Sequence, residues 1–137
     1  MPLRDRYGYL TVLDAVQVVH DAEDAYSNVV TIHPYTTLLL LYDVTIAFSG
    51  GDSPGVKFTL EFDVSGEGDW VAATSLVTTE NGFGAAAPTD PTITSTGKAY
   101  RFYPQAAGMR ARIKYEAAGE PTGGNATVTA YLTGKRG

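Results

Sequence analysis

The sequence predicts an all-β protein, folded as an antiparallel β-sandwich of about eight strands in a jelly-roll-like arrangement. Three observations predict it. Apolar and polar residues alternate along several segments, turns rich in Gly and Pro separate these segments, and no long amphipathic helix is visible. The length of 137 residues suits one domain of this kind. The connections are too short to hold the crossover helices of a parallel sheet.

The alternation is clearest on either side of one turn-rich segment. Apolar residues occupy every second position in segment 42–48, and the same pattern returns in segment 56–64. Because residues 49–55 between them are rich in Gly and Ser, we expect the two strands to form a hairpin-like pair with one buried face. The buried phase contains large aromatic residues that are expected in the core, namely Phe48, Phe58, Phe62 and Trp70.

The other strands are predicted in chain order from the same pattern. The first third of the chain contains strands at 15–19 and 26–32, and the acidic spacer between them suits a turn or one turn of helix. A strand begins at Trp70, and the Gly- and Ala-rich loop 79–97 holds a short strand near 92–94. The last three strands are predicted at 98–103, 110–116 and 125–133.

These strands define one folded unit with two extensions. Residues 15–133 are expected to form the sandwich domain. Residues 1–14 are expected to form an extended N-terminal arm, and residues 134–137 a short basic C-terminal tail, because polar or basic chain ends are seldom packed.

Charge is divided unevenly along the chain. Residues 1–97 contain 3 Lys and Arg against 13 Asp and Glu, whereas residues 98–137 contain 7 against 2. Either cross-strand charges pair within one sandwich, or the basic segment meets an acidic neighbour. The net charge of −5 and the absence of a basic tract argue against nucleic acid as a partner. No apolar run is long enough to span a membrane, so no membrane association is expected.

Recognisable catalytic and cofactor-binding motifs are missing from the sequence. Because it contains no Cys, disulfides and cysteine–zinc sites are impossible. The acidic residues that follow His20 lack the spacing of a calcium loop, and no glycine-rich phosphate loop is found. We therefore predict that the protein is not an enzyme and has no cofactor and no metal site.

Aromatic residues are abundant, with nine Tyr, five Phe and one Trp. Tyr100, Phe102 and Tyr103 lie together in one predicted strand. Exposed aromatic side chains can stack on sugar rings, and they equally suit protein interfaces, where they bury a large area at a small cost in entropy. Both alternatives remain open at this point.

The order of strands and turns from about residue 40 to residue 137 is similar to that of a known group of proteins. It is carried by segments 56–64, 65–71, 100–103, 109–115 and 128–134. This pattern resembles the small β-sandwich cement, or decoration, proteins of tailed bacteriophages, which clamp the outer surface of an icosahedral head.

The resemblance implies a virion structural protein, made in the host cytoplasm and located on the capsid exterior. Its partner would be the phage major capsid protein, whose subunit contacts it would stabilise. The resemblance also implies a homo-oligomer, with a dimer favoured over a trimer. The alternative function is a carbohydrate- or receptor-binding β-sandwich module on a virion or cell surface.

Candidate capsid contacts lie in the N-terminal arm, on a basic face and in the C-terminal tail. Arg110, Arg112 and Lys114 occupy every second position of one predicted strand, so they are expected on one exposed face, and Arg101 is expected to share it. Terminal arms can add strands to neighbouring sheets, and exposed cations can pair with an acidic capsid surface. The expected contact residues are Pro2, Leu3, Arg4, Arg6, Tyr7, Tyr9, Arg101, Arg110, Arg112, Lys114, Lys135 and Arg136.

Overall fold

The computed structural model describes residues 10–33, 35–75, 91–103 and 110–135. Within these ranges the chain forms ten β-strands and one short 3-10 turn at Ala73–Ser75. All strand pairs are antiparallel, and the strands lie in two sheets. The predicted all-β antiparallel sandwich is therefore confirmed.

Each sheet combines strands from both halves of the chain. The spatial order in the four-stranded sheet is β1 (Leu10–Val19), β10 (Gly123–Lys135), β4 (Thr37–Ser49) and β8 (Gly97–Tyr103). The centre of the six-stranded sheet is formed by β9 (Arg110–Ala118) and β5 (Gly55–Asp63).

Four short strands form the edges of the six-stranded sheet. The outer side of β9 pairs with β2 (Ala25–Tyr26) and β3 (Val30–Thr31). The outer side of β5 pairs with β6 (Trp70–Ala72) and β7 (Thr92–Ile93). When each broken edge is taken as one strand, the sandwich has eight strands in the order of a jelly roll.

Alternate apolar residues of both sheets point into one shared core. Tyr42 of β4 stacks on Phe58 of β5 with 4.3 Å between the ring centroids, so these two strands face each other across the sandwich. The predicted hairpin pairing of the two strands is wrong, because β4 pairs with β10 and β8 whereas β5 pairs with β9, β6 and β7. Apolar residues at every second position show that one face of a strand is buried. They do not show which neighbouring strand it pairs with through backbone hydrogen bonds.

The chain crosses between the sheets in the turn at residues 50–54. There the backbone N–H of Asp52 donates to the carbonyl of Gly119 at 2.8 Å, which ties this turn to the link between β9 and β10. Gly51 has a φ of +75°, and a Cβ at this position would lie 2.4 Å from the Gly119 carbonyl oxygen. Only glycine fits there, because both the dihedral angle and the close approach exclude a side chain.

The predicted ends of the sandwich domain are wrong by a few residues at each terminus. β1 begins at Leu10, which is paired with Leu132, so residues 10–14 belong to the sheet and not to an arm. β1 has two register shifts, one between Thr11 and Leu13 and one between Leu13 and Val16. The neighbours Val12 and Leu13 are both buried and Ala15 in the second shift has a φ of +48°, so the alternation is broken here. At the other end, β10 continues to Lys135.

Candidate functional site

The outer face of the six-stranded sheet carries paired charges. Register brings Arg110 opposite Asp63 and Arg112 opposite Glu61 on the neighbouring strands β9 and β5. Arg110 forms an ion pair with Asp63, and Arg112 Nε donates to Glu61 Oε1 at 2.8 Å. The interpretation that cross-strand charges pair within one sandwich is confirmed for these residues.

Arg112 is the most enclosed of the three cations of β9. Its guanidinium lies 4.0 Å from the ring centroid of Tyr26 and 4.3 Å from that of Trp70. The prediction that Trp70 is a core residue is wrong, because its half-buried ring packs on the outer face against Arg112 and Arg110. Each cation–π contact stabilises the fold by about 0.5–1 kcal/mol at an exposed site.

Lys114 lies at the other end of the same face, beside two carboxylates. Its Nζ is 3.8 Å from Asp24 Oδ2. Partial burial, the hydrogen bond with Asp24 and the Asp24 charge raise the pKa of Glu116 above its ordinary value of 4.5, while Lys114 and Lys57 act in the opposite direction. The three cations of β9 thus share one face as predicted, and all three have carboxylate neighbours within the chain.

Asp63 is a fully buried carboxylate at the end of β5. Its Oδ1 accepts hydrogen bonds from the backbone N–H groups of Gly66, Gly68 and Asp69 at 3.0–3.1 Å. Arg110 Nε donates to Oδ2 at 3.0 Å. Burial alone would raise the pKa of Asp63, but the hydrogen bonds from Arg110 and the backbone outweigh it and lower the pKa below 3.8.

Arg101 does not belong to this basic face. It lies on β8, in the other sheet, on the side of the strand that carries the buried Tyr103. Its Nε is buried and has no hydrogen-bond partner in the described part of the chain. The prediction that Arg101 shares a face with Arg110, Arg112 and Lys114 is therefore wrong, because these residues are on different sheets.

The remaining predicted contacts belong to the two ends of the chain. Lys135 is the last residue of β10. The other predicted contacts lie outside the described residues, namely Pro2, Leu3, Arg4, Arg6, Tyr7, Tyr9 and Arg136.

The outer face of the four-stranded sheet carries a cluster of apolar side chains. Tyr100 and Phe102, on the edge strand β8, expose 72% and 53% of their surface. Beside them on β4 are the half-buried Leu39 and Leu41, and beyond these on β10 is Tyr131. We call these five residues the apolar face. Two open depressions lie on it, one beside Tyr131 and Leu41 and one beside Leu39 and Phe102.

Sequence reasoning singled out Tyr100 and Phe102 and missed the leucines of the apolar face, while Tyr103, which it grouped with these two, is buried. Leu39 and Leu41 belong to the apolar run Leu38 to Tyr42, the longest in the sequence. In a strand, neighbouring residues point to opposite faces, so a run of five apolar residues must place some of them outside the core. That signal was available before the structure was known.

The described residues contain neither a cluster of metal-ligating side chains nor a membrane-spanning helix. In the ranges that the structure describes, no group of three or more His, Asp or Glu side chains is placed to hold a metal ion. No helix of these ranges is long and apolar enough to cross a membrane. Comparison with protein-family models, curated proteins and solved structures finds no match for this chain.

Proposed function

We propose that the chain is a virion structural protein, a capsid cement or decoration protein that binds the outer surface of an icosahedral phage head. It would stabilise contacts between subunits of the major capsid protein and act as a homo-oligomer. The fold is compatible with this function and does not specify it, since one fold serves many functions. The proposal therefore depends on the surface of the sandwich and on the resemblance of its strand order to cement proteins.

The feature that favours association with protein subunits is the apolar face. Tyr100 and Phe102 lie side by side on a sheet surface, and Leu39 and Leu41 extend it on the next strand. Contiguous exposed apolar area of this kind marks interaction surfaces in folded proteins. Aromatic residues are enriched among those that dominate binding energy at such surfaces.

The basic residues of β9 are a weaker basis for capsid contact than the sequence suggested. Arg110 and Arg112 already form ion pairs with Asp63 and Glu61. A capsid carboxylate would have to compete with these partners, so its gain in free energy would be small. Contact through the N-terminal arm stays part of the proposal, because several weak contacts made by one rigid oligomer reinforce each other.

We expect purified heads to contain this chain in a copy number comparable with that of the major capsid protein, as measured by gel densitometry.

Deleting residues 2–9 is expected to lower head occupancy about tenfold or more, because the arm contacts would be lost. The deletion stops before Leu10 because that residue is paired in β1. The melting temperature of the isolated protein should not change.

A variant with residues 2–9 scrambled is the matched control for chain length and composition. Its occupancy should fall as in the deletion if the sequence of the arm sets the contact. Heads that lack the chain altogether would contradict the cement function. Full occupancy by the deletion variant would contradict the arm contact alone.

A carbohydrate-binding module is the second candidate, favoured by the exposure of Tyr100. Tyr100 extends from the sheet surface next to the polar side chains of Asp43 and Lys98, an arrangement that can stack and hydrogen-bond a sugar. For this function we expect saturable glycan binding by calorimetry, weakened at least about tenfold by Tyr100→Ala. Tyr26→Ala, an exposed aromatic on the other sheet, is the matched control. Absence of glycan binding would eliminate this candidate.

A further inference from the structure

The apolar face has an ordered arrangement across the four-stranded sheet. One transverse row contains Tyr131 of β10, Leu41 of β4 and Tyr100 of β8, which are in register with each other. A second row contains Leu39 and Phe102, again in register. The large side chains therefore form a compact block near one end of β4 and β8.

A pair of opposite charges borders this block. Asp43 of β4 is in register with Lys98 of β8, one step beyond the row of Leu41 and Tyr100 on the same face. Both side chains are exposed. Among the described residues no ion pair joins them, so each charge is available to a group above the sheet.

We propose that a second copy of this chain packs on the apolar face, with a two-fold axis parallel to the strands and midway between β4 and β8. This axis exchanges the two strands. It places Asp43 opposite Lys98 of the partner subunit, and Leu41 opposite Tyr100 of the partner subunit. Leu39 then meets Phe102 of the partner subunit. Apolar residues thus meet apolar residues and opposite charges meet each other, so the same surface of both copies is self-complementary, as a two-fold interface requires.

The axis defines a small interface. It places β4 and β8 over β8 and β4 of the partner subunit, an overlap of two strands along the seven residues of β8, or roughly 10 Å by 23 Å, and β10 lies beside it. An overlap of this size is below that of a standard interface and corresponds to a weak, reversible association. Tyr100 and Phe102 expose 72% and 53% of their surface, and they provide the central anchors. Two β-sheets that pack face to face in this way keep their strands nearly aligned.

Packing through the face is favoured over pairing through the edge of β8. Lys98 and Arg101 both lie on this edge strand, and Arg101 is on its core side. Lysine on an edge and inward-pointing cations are devices that oppose edge-to-edge pairing of sheets. The dimer leaves this edge unpaired. It would be the assembling unit of the proposed cement protein, and in that respect it rests on the proposed function.

Sedimentation velocity of the full chain over a concentration series tests the dimer. We expect a monomer–dimer equilibrium that Tyr100→Ala weakens about thirtyfold, because an interface anchor is lost. Asp43→Lys and Lys98→Asp should each weaken it at least about tenfold, because like charges then meet across the two-fold axis. An equimolar mixture of these two variants should form a heterodimer, since opposite charges face each other again at both sites.

Glu67→Lys is the matched control, because it changes the net charge as Asp43→Lys does at an exposed position in the turn before β6. It should leave the dimer unchanged. A chain that is monomeric at all concentrations would overturn the dimer. A dimer that none of the three variants weakens would show that the interface lies on another surface. Failure of the mixture to associate would show that the two-fold axis does not lie between β4 and β8. A chain that is monomeric and present on heads at full copy number would contradict the dimer and leave the cement function standing. A dimer that is absent from heads would contradict the cement function and leave the dimer standing.

Discussion

Phe58→Ala is expected to lower the free energy of unfolding by about 3–5 kcal/mol, the range for removing a large aromatic side chain from a packed core. Phe58 is fully buried in β5, and its ring stacks on Tyr42 of β4 with an interplanar angle of 28°. Because β4 and β5 belong to different sheets, this stack joins the two halves of the sandwich. The loss would leave a cavity at their interface. Urea unfolding followed by tryptophan fluorescence measures the change.

Two variants separate a core effect from a general effect of losing a ring. Phe102→Ala removes the same side chain from the outer face, where 53% of it is exposed, and should change stability by less than about 1 kcal/mol in dilute solution. Phe58→Leu keeps most of the buried volume and should cost about half as much as Phe58→Ala or less. Equal losses for Phe58→Ala and Phe102→Ala would show that the stack does not join the sheets.

The alternation along each strand allowed the fold class to be predicted, whereas the pairing of strands could not be derived from it. The pattern in β4 places Tyr42 and Val44 on one face, and both are buried. That pattern is satisfied equally by a hairpin partner and by a facing sheet. Pairing of β4 with β10 brings together strands far apart in the chain, as Val44 opposite Val128 shows. No local signal in the sequence records such a long-range contact.

Backbone irregularity explains why the start of the sandwich was placed too late. Residues 1–14 were expected to form an arm because chain ends are seldom packed, and the alternation that would have marked a strand there is lost between Val12 and Ala15. A positive φ is uncommon for alanine, so nothing in the residue type marks this position as a bulge. The Ala15 N–H donates to the Thr129 hydroxyl at 3.0 Å, a compensating contact that depends on the neighbouring strand.

The candidate site was also predictable only in part, because its contacts depend on which strands are paired. The spacing of Arg110, Arg112 and Lys114 correctly placed the three cations on one face of β9. Their carboxylate partners depend on the register with β5 and on the position of Asp24, which the spacing within β9 does not determine. The aromatic neighbours of Arg112 come from two further strands. The sequence pattern therefore does not show which residues lie opposite each other on neighbouring strands.

Asp63→Ala is expected to lower the melting temperature by roughly 10 °C or more, because one buried carboxylate holds both a turn and a cation. The turn would lose the acceptor for the N–H groups of Gly66, Gly68 and Asp69. Arg110 would lose its ion pair and keep partial contact with solvent, since its side chain is 39% exposed. Differential scanning calorimetry at neutral pH measures the loss.

The pH dependence of stability distinguishes the charge of Asp63 from its hydrogen-bonding role. Its pKa in the folded state lies below 3.8, so its stabilising contribution is complete above about pH 4 and is lost as the pH falls through the folded-state pKa. Asp63→Asn keeps an acceptor oxygen for the turn and removes the charge. It should destabilise the protein less than Asp63→Ala and flatten the decline in melting temperature below about pH 4. Asp69→Asn, in the same turn and exposed, is the matched control and should leave that decline intact. An unchanged acid profile in Asp63→Asn would show that the Asp63–Arg110 pair does not govern the acid sensitivity of the fold.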